Sequence, residues 1–339
     1  MIRQFWDQTK RQLADVQLPK IRERFDFSLE PKVFESFAVL CCFDQHLVLT
    51  SIKANQSIMM VDDCLSIDLP THLIGDSGVE NIDEVSQIVL DFMEVMGLSS
   101  CPILLLLSSS KFSHCSFPVD HISSWDLSDL KLKVKSPFLA DETLIDLYPN
   151  DNSSYDDQSI RGVSYANTRL IHSWLNVLRV VGKPVLGISP LYSGLIDWFS
   201  SSQNPQKSTV FCDVEPNCCN LLIRNSLFAF SSFQLPFGTS LYAEQSGRLL
   251  DQFFKRLQSS LDVIKEDQGL NDKISHIISG YGLGNLGTSL ISNLGPWTLL
   301  SNMISKTLQV SNNLKPGELN RHQHLFPQLF VCLNAYLQS

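Results

Sequence analysis

A strand-helix-strand unit spanning residues 162–189 constrains the fold of this chain more than any other stretch. Its central segment, "TRLIHSWLNVLRVVG", is about four helical turns long and lies between two strand-like runs, "GVSYAN" and "KPVLGIS". A helix of this length between two strands is typical of the crossover in a parallel sheet. The side of this helix predicted to be buried carries Leu170, Trp174, Leu178 and Val181. The unit therefore predicts a layered α/β domain.

Two antiparallel meanders are predicted, one in each half of the chain. Three short apolar runs between residues 37 and 61 are separated by polar turns. "NIDEVSQIVLDFMEVMGL" (81–98) then predicts a helix, and "PILLLLS" (102–108) predicts a buried strand. The second half repeats this order with the hairpin "VFCDVEPNCCNLLIRNSLFAF" (210–230) and a long amphipathic helix within 239–267. We therefore expect two related lobes.

Length and charge exclude some functions. At 339 residues the chain suits two domains, each with room for its own core. It carries 26 Lys and Arg against 35 Asp and Glu, which gives a net charge of −9. Phosphate neutralisation needs clustered basic side chains, and the chain does not supply them. The charge therefore argues against broad nucleic-acid binding.

The nine cysteines indicate reduced thiols. They include the neighbours Cys41-Cys42 and Cys218-Cys219 but form no CxxC pair, and the histidines show no zinc spacing. We expect small core residues in a cytosolic protein and no structural metal site.

The first residues predict a helix rather than a membrane span. Between Ile2 and Arg24, apolar and basic residues alternate as an imperfect amphipathic helix that Pro19 interrupts. Three roles remain open for it: packing on its own domain, docking on a partner, or lying on an anionic membrane surface. No apolar run approaches the ~20 residues that span a bilayer, and no signal peptide is recognisable. A soluble protein is expected.

The motif "GLGNLG" (282–287) matches the dinucleotide pattern GxGxxG, since it follows a strand and precedes a predicted helix. A dinucleotide site also needs an acidic residue about 20 positions later, for a ribose hydroxyl. No Asp or Glu occurs between Thr288 and Glu318. We therefore favour a different interpretation, in which "HIISGYGLGNLG" is a strand that ends at glycines where a flat ring approaches the backbone.

The order of these segments resembles the actin-like ATPase superfamily, and specifically the PilM family of type IV pilus assembly proteins. "SYANTRLIHSWLNVLRVVGKPVLGISPLYSGLIDW", "FCDVEPNCCNLLIRNSLFAFSSFQLPFGTSL", "LQSSLDVI" and "FPQLFVCLNAYLQ" are similar to family segments in the same order, over roughly residues 35–337. The resemblance implies an α/β bilobal fold in which each lobe has a ribonuclease-H-like core. We expect an N-terminal helix (1–36), a first lobe (37–199) with an inserted subdomain at about 80–160, and a second lobe (200–339) ending in a helix.

The resemblance also implies a nucleotide cleft, but Glu215 conflicts with it. In actin-like sites the turn after the hairpin aspartate is normally glycine, because backbone amides there close around phosphates. Two like charges ~4 Å apart repel by about 4 kcal/mol at an effective dielectric of about 20, which corresponds to roughly a thousandfold in affinity. Pro216 removes a further amide donor. The implied cleft residues are Asp213, Glu215, Gly238, Gly280, Gly282 and Gly284.

Other parts of the implied site are altered as well. Cys41 and Cys42 stand in or near the first phosphate turn, and Asp44 is expected to face solvent. A basic residue that flanks the purine in the family falls on Ser259, and a glycine of the adenosine turn falls on Tyr281. We expect weak or lost nucleotide binding. Asp213 holds its own turn in one interpretation; in the other, with bound Mg-ATP, it positions metal-bound water.

The function implied by the resemblance is that of a cytoplasmic adaptor, peripheral to the inner face of the membrane, in a type IV pilus machine. It would bind the N-terminal tail of a PilN-like bitopic partner as an extended peptide, near the inserted subdomain. Two alternatives remain open. One is an active Mg-ATP-binding ATPase that tolerates Glu215 through a bound metal. The other is the actin-like module of a type II secretion system, where a membrane span normally follows, whereas this sequence closes with the polar "NAYLQS".

Overall fold

The computed structural model describes residues 36–55, 58–75, 77–118, 139, 142–149, 160–192, 194–195, 208–225, 229–240, 242, 248–270, 274–284, 296–304, 308–311 and 314–338. The predicted N-terminal amphipathic helix lies outside the described residues. Among the described helices, none combines the length and apolar character needed to span a membrane.

The first half of the chain contains ten strands and two helices within the described residues. In chain order these are β1 (Ser36–Phe43), β2 (His46–Asn55), β3 (Ile58–Asp68), β4 (Ile74–Gly75), β5 (Gly78–Val79), α1 (Ile82–Val95), β6 (Ile103–Leu107), β7 (Phe112–Pro118), β8 (Thr143–Pro149), β9 (Ile160–Asn167), α2 (Thr168–Val181) and β10 (Val185–Pro190). A short 3-10 helix, Ser109–Lys111, follows β6.

The second half follows a similar order. Its elements are β11 (Thr209–Val214), β12 (Cys219–Arg224), β13 (Phe230–Leu235), α3 (Arg248–Asp267), β14 (Ser275–Ser279), β15 (Trp297–Leu299), α4 (Leu300–Ile304), β16 (Leu308–Val310), α5 (Pro316–His322) and α6 (Phe326–Gln338). The predicted meanders, the helix at 81–98 and the strand at 102–108 are therefore confirmed, with small shifts at their ends.

Two sheets with the same strand order form the two lobes. The first sheet runs β10-β6-β1-β2-β3-β16, and the second runs β13-β12-β11-β14-β15. In both sheets the meander strands pair antiparallel. The next strand, β6 or β14, pairs parallel with the first meander strand, and β10 or β15 then pairs parallel with that strand. The expectation of two related lobes is confirmed, since the two sheets share topology and strand direction.

Local sequence explains the two helices that pack on the first sheet. The side chain of Asn81 accepts a hydrogen bond from the amide of Glu84 at the start of α1. Asn167 caps α2 in the same way through the amide of Arg169, and Gly182 ends α2 in a left-handed conformation with φ 69°. The run at 103–107 is buried throughout, as a central parallel strand requires.

A small antiparallel sheet, β7-β9-β8, is inserted between β6 and α2. The expected bounds of about 80–160 also take in α1 and β6. β6 pairs with β1 and β10 in the main sheet, and α1 packs against α2. We therefore propose residues 112–167 as the inserted subdomain.

The C-terminal segment returns to the first lobe. β16 pairs parallel with β3, with Leu308 opposite Met59. Helix α6 approaches the first lobe so closely that a Cβ on Gly194 would lie 2.4 Å from the carbonyl oxygen of Val331. Its buried residues join the core of the first sheet. Lobe membership follows this packing rather than chain order, so we propose 208–304 for the second lobe, in place of the expected 200–339.

The second sheet lies between two apolar clusters. Phe211 and Leu222 on one face join the core of the first lobe. Val210, Leu221 and Ile223 on the other face pack with α3. Successive residues of a strand point to opposite faces, so one short strand contributes to both clusters. The second sheet is therefore fixed directly against the first lobe.

Candidate functional site

Four turns meet between the two lobes, each at the carboxyl end of a strand. These are Asp44–Gln45 after β1, residues 108–111 after β6, residues 215–218 after β11 and residues 280–284 after β14. In open α/β sheets, ligands bind beyond the carboxyl ends of parallel strands. The meeting point of these turns is the candidate site.

Glu215 lies inside this site and not on the surface. Its side chain is 1% exposed. The hydroxyl of Ser108 lies 2.7 Å from each carboxylate oxygen, and Nδ2 of Asn220 donates to Oε1 at 2.9 Å. The backbone amide of Glu215 donates to the carbonyl of Cys218 at 2.9 Å and closes the turn. Both its amide and its side chain are therefore bound by protein groups.

Asp213 contacts two other parts of the chain. It is fully buried, and it accepts a hydrogen bond from the hydroxyl of Ser109 at 2.5 Å. Nε2 of Gln328 in α6 donates to its other carboxylate oxygen at 2.8 Å. These bonds join the second-lobe hairpin to the first lobe and to the C-terminal helix. They do not match the interpretation of Asp213 as a residue that only holds its own turn.

Burial dominates the electrostatics of the two carboxyl groups. It raises the pKa of Asp213 to about 6, against the smaller opposing effects of the hydrogen bonds from Gln328 and Ser109. Burial, followed by repulsion from Asp213, raises the pKa of Glu215 well above its ordinary range. Lys111 has a small opposing effect that lowers the pKa of Glu215, and its ammonium group is itself paired with Asp44 at 3.0 Å.

The glycines expected to surround a nucleotide pack instead against the β11-β12 turn. A Cβ on Gly238 would lie 2.3 Å from the carbonyl oxygens of Glu215 and Pro216. A Cβ on Gly282 would lie 2.7 Å from the carbonyl group of Glu215. The amide of Thr239 donates to the Glu215 carbonyl at 3.2 Å. The glycine turns and the hairpin turn are therefore in direct backbone contact.

Gly280 and Gly284 also serve packing. Gly280 has φ 128°, and a Cβ there would lie 2.3 Å from the carbonyl oxygen of Val214. At Gly284 a Cβ would lie 2.0 Å from the carbonyl oxygen of Arg321. The structure thus brings five of the six predicted cleft residues together at the hairpin, while Gly284 faces α5.

The other altered positions have clear places in the structure. Cys41 and Cys42 lie buried within β1, which ends at Phe43, so they stand near the turn and not in it. Asp44 has φ 44° and pairs with Lys111 instead of facing only solvent. Ser259 is exposed on α3, where its hydroxyl donates to the carbonyl of Lys255. Tyr281 is buried, and its ring stacks on Phe43 (4.9 Å between centroids) and on His322 (5.5 Å).

Sequence reasoning missed the partners of the two carboxylates. Ser108 and Ser109 come from the run "SSS" at the end of a buried strand, a position that the strand-order rule marks as functional. Gln328 is distant in the chain, and a single sequence carries no signal that links it to Asp213.

The described residues do not fit Mg-ATP. The Glu215 amide is used by Cys218, its carboxylate fills the turn where phosphate-binding amides are needed, and the glycines contact the hairpin backbone. Within the described part of the chain, no group of three or more His, Cys, Asp or Glu is placed to hold a metal ion.

Comparison with known proteins identifies the fold. No family model and no curated protein matches the sequence. A solved structure titled as the PilM-PilN type IV pilus biogenesis complex matches with a TM-score of 0.60 and 14% identity, over 90% of this chain and 98% of that chain. The fold is actin-like. The expected bilobal α/β architecture is thus confirmed.

Two further solved structures match this chain with lower TM-scores. One is the cytoplasmic domain of EpsL from the type II secretion system of Vibrio cholerae, with a TM-score of 0.44 and 11% identity over 88% of this chain and 95% of that chain. The other is a Bacteroides thetaiotaomicron protein of unknown function with an actin-like ATPase fold. It has a TM-score of 0.46 and 9% identity over 86% of this chain and 95% of that chain.

Proposed function

We propose that this protein is an actin-like adaptor of a type IV pilus assembly machine and that it works without bound nucleotide. The observation that carries the proposal is the match over nearly the whole of both chains to a structure solved as a pilus biogenesis complex. The site supports the second part, because the hydrogen-bonding groups in this turn are already bonded to other groups of the protein, namely the Glu215 carboxyl group and the carbonyl of Cys218. The role is binding, and no chemical step is assigned.

The proposed partner is the N-terminal tail of a PilN-like bitopic membrane protein. Such a tail is an extended peptide, and extended peptides bind to sheet edges and to the grooves beside them. The inserted subdomain offers an edge of this kind, since β8 pairs with β9 on one side only among the described residues. Binding of the tail would place the protein in the cytoplasm, at the inner face of the membrane.

The test is the affinity for a fluorescent peptide that carries the N-terminal tail of a PilN-like protein from the same genome. We expect a dissociation constant in the micromolar range or tighter, unchanged by about 1 mM Mg-ATP. A scrambled peptide of the same composition is the control. Binding that requires Mg-ATP would favour the alternative of a nucleotide-dependent switch, and absence of binding in both conditions would contradict the adaptor proposal.

A further inference from the structure

The two lobes are joined in the cleft by a double hydrogen-bonded contact. Ser108 and Ser109 are neighbours at the end of β6 in the first lobe, and Asp213 and Glu215 are alternate residues at the end of β11 in the second. Each of the four side chains is at most 1% exposed. Side chains two residues apart in an extended segment point the same way, so both carboxylates face the serine pair. Glu215 accepts from Ser108, and Asp213 accepts from Ser109.

We propose that Ser108, Ser109, Asp213 and Glu215 form a latch that holds the two lobes closed in the absence of any ligand. In a cleft that closes on a bound anion, the anion provides acceptor oxygens for donors on both sides. Here the Glu215 carboxylate provides them, between Ser108 of the first lobe and Asn220 of its own hairpin. The side chain of Glu215 therefore supplies the acceptor oxygens that a bound anion supplies in a ligand-closed cleft. The latch does not depend on the proposed pilus role.

A seam of serine hydroxyls joins the lobes at a second place. The hydroxyl of Ser116 in β7 accepts from the amide of Phe230 in β13 at 2.8 Å. In return, the hydroxyl of Ser232 in β13 accepts from the amide of His114 in β7 at 2.7 Å. Side chains thus satisfy backbone groups between a strand of the inserted subdomain and an edge strand of the second lobe. If the latch opened, this seam would open with it.

Opening of the latch can be measured at the seam. Hydrogen exchange of the Phe230 amide reports separation of β7 from β13, because its acceptor is Ser116 across the seam. The substitutions are Ser108→Ala with Ser109→Ala, which remove both donors of the latch and leave the seam intact. The control is Ser259→Ala, which removes an exposed hydroxyl bonded within its own helix.

In the native chain we expect strong protection of the Phe230 amide, with no change on adding Mg-ATP. In the double variant we expect protection of this amide to fall by about tenfold or more, because two buried hydrogen bonds between the lobes are lost together. The Ser259→Ala control should behave as the native chain. Amides in the middle of β12 serve as an internal check that the second lobe stays folded.

Unchanged protection at Phe230 in a folded double variant would overturn the latch. If the double variant does not fold, Ser108→Ala and Ser109→Ala are measured singly, since each removes one donor of the latch. Native protection in both would overturn the proposal in the same way. These outcomes are separate from peptide binding, because a chain without a latch can still bind a partner tail.

Discussion

At the scale of single residues, Glu215 and Asp213 make the folded chain sensitive to pH. Both have a raised pKa because burial disfavours the charged form. A carboxyl group with a raised folded-state pKa binds its proton more tightly in the folded chain than in the unfolded chain. Its contribution to stability is therefore fully present below the unfolded pKa, about 4, and is lost as pH rises through the folded pKa.

For Glu215→Gln we expect the free energy of unfolding, relative to the native chain, to shift in favour of the variant as pH rises from about 5 to about 8. Glutamine keeps the shape and an acceptor oxygen for Ser108 but has no proton to lose. Urea unfolding across this range is the measurement. Glu266→Gln, at an exposed position on α3, is the control and should show no such shift. Parallel pH profiles for the native chain and Glu215→Gln would refute the linkage.

How much of the site could be predicted differs between its members. The presence of Glu215 and Pro216 in a turn that should bind phosphate is visible in the sequence, since it depends on residue type alone. The direction of the Glu215 side chain is not visible, because it depends on Ser108 and Asn220, which the fold brings to it. The hydrogen bond from Gln328 to Asp213 is not visible in the sequence either, because the two residues are 115 positions apart and only the fold brings them together.

At the scale of elements, the glycine turns act as close-packing surfaces. Turns of this composition suit a nucleotide, and they equally suit a second backbone at the same distance. The two uses differ in what happens without ligand. A glycine that only makes room for a ligand tolerates a methyl group in the free protein, whereas a glycine in contact with backbone does not.

We expect Gly238→Ala to destabilise the free protein by about 2 kcal/mol or more, because its Cβ would overlap the carbonyl groups of Glu215 and Pro216. Gly317→Ala is the matched control, since nothing lies within 4 Å of its Cβ and it stands in a helix. There we expect a gain of about 0.5–1 kcal/mol. Thermal and urea unfolding without ligand measure both. If Gly238→Ala leaves the free energy of unfolding unchanged, Gly238 does not pack against the hairpin backbone and is better explained as a ligand contact.

Element type was predictable where periodicity and capping agree, as for α1 with Asn81 and α2 with Gly182. The lobe to which each element belongs was harder to predict. β16 has only three residues and pairs with β3, about 250 positions earlier. Short strands with distant partners carry little local pattern, and the bounds expected for both lobes followed chain order for that reason.

At the scale of the whole molecule, the lobes share apolar contacts as well as polar ones. Phe211, Leu222 and Phe230 from the second sheet belong to the first-lobe core, together with α6 residues such as Leu329. Leu257 on α3 belongs to the separate cluster behind the second sheet. Shared burial of this kind couples unfolding of the lobes, so the described chain should behave as one cooperative unit.

We expect calorimetry to show a single transition, which both Leu329→Ala and Leu257→Ala shift to lower temperature. Each is buried, and each substitution should destabilise by about 2–5 kcal/mol. Equal effects on one transition support coupling between the clusters. Two separate transitions, with Leu257→Ala moving one and Leu329→Ala the other, would show that the lobes unfold independently.

Because the C-terminal segment returns to the first lobe, the order in which the two lobes can be completed during synthesis differs from their order in the chain. All strands of the second sheet and helix α3 lie between residues 209 and 299, in one continuous stretch. The first lobe begins at β1, yet its sheet is completed by β16 and its core by α6, which are synthesised after the whole second lobe. Domains fold as units while synthesis proceeds from the N-terminus. The lobe whose synthesis begins first therefore cannot be completed until the whole second lobe has been synthesised.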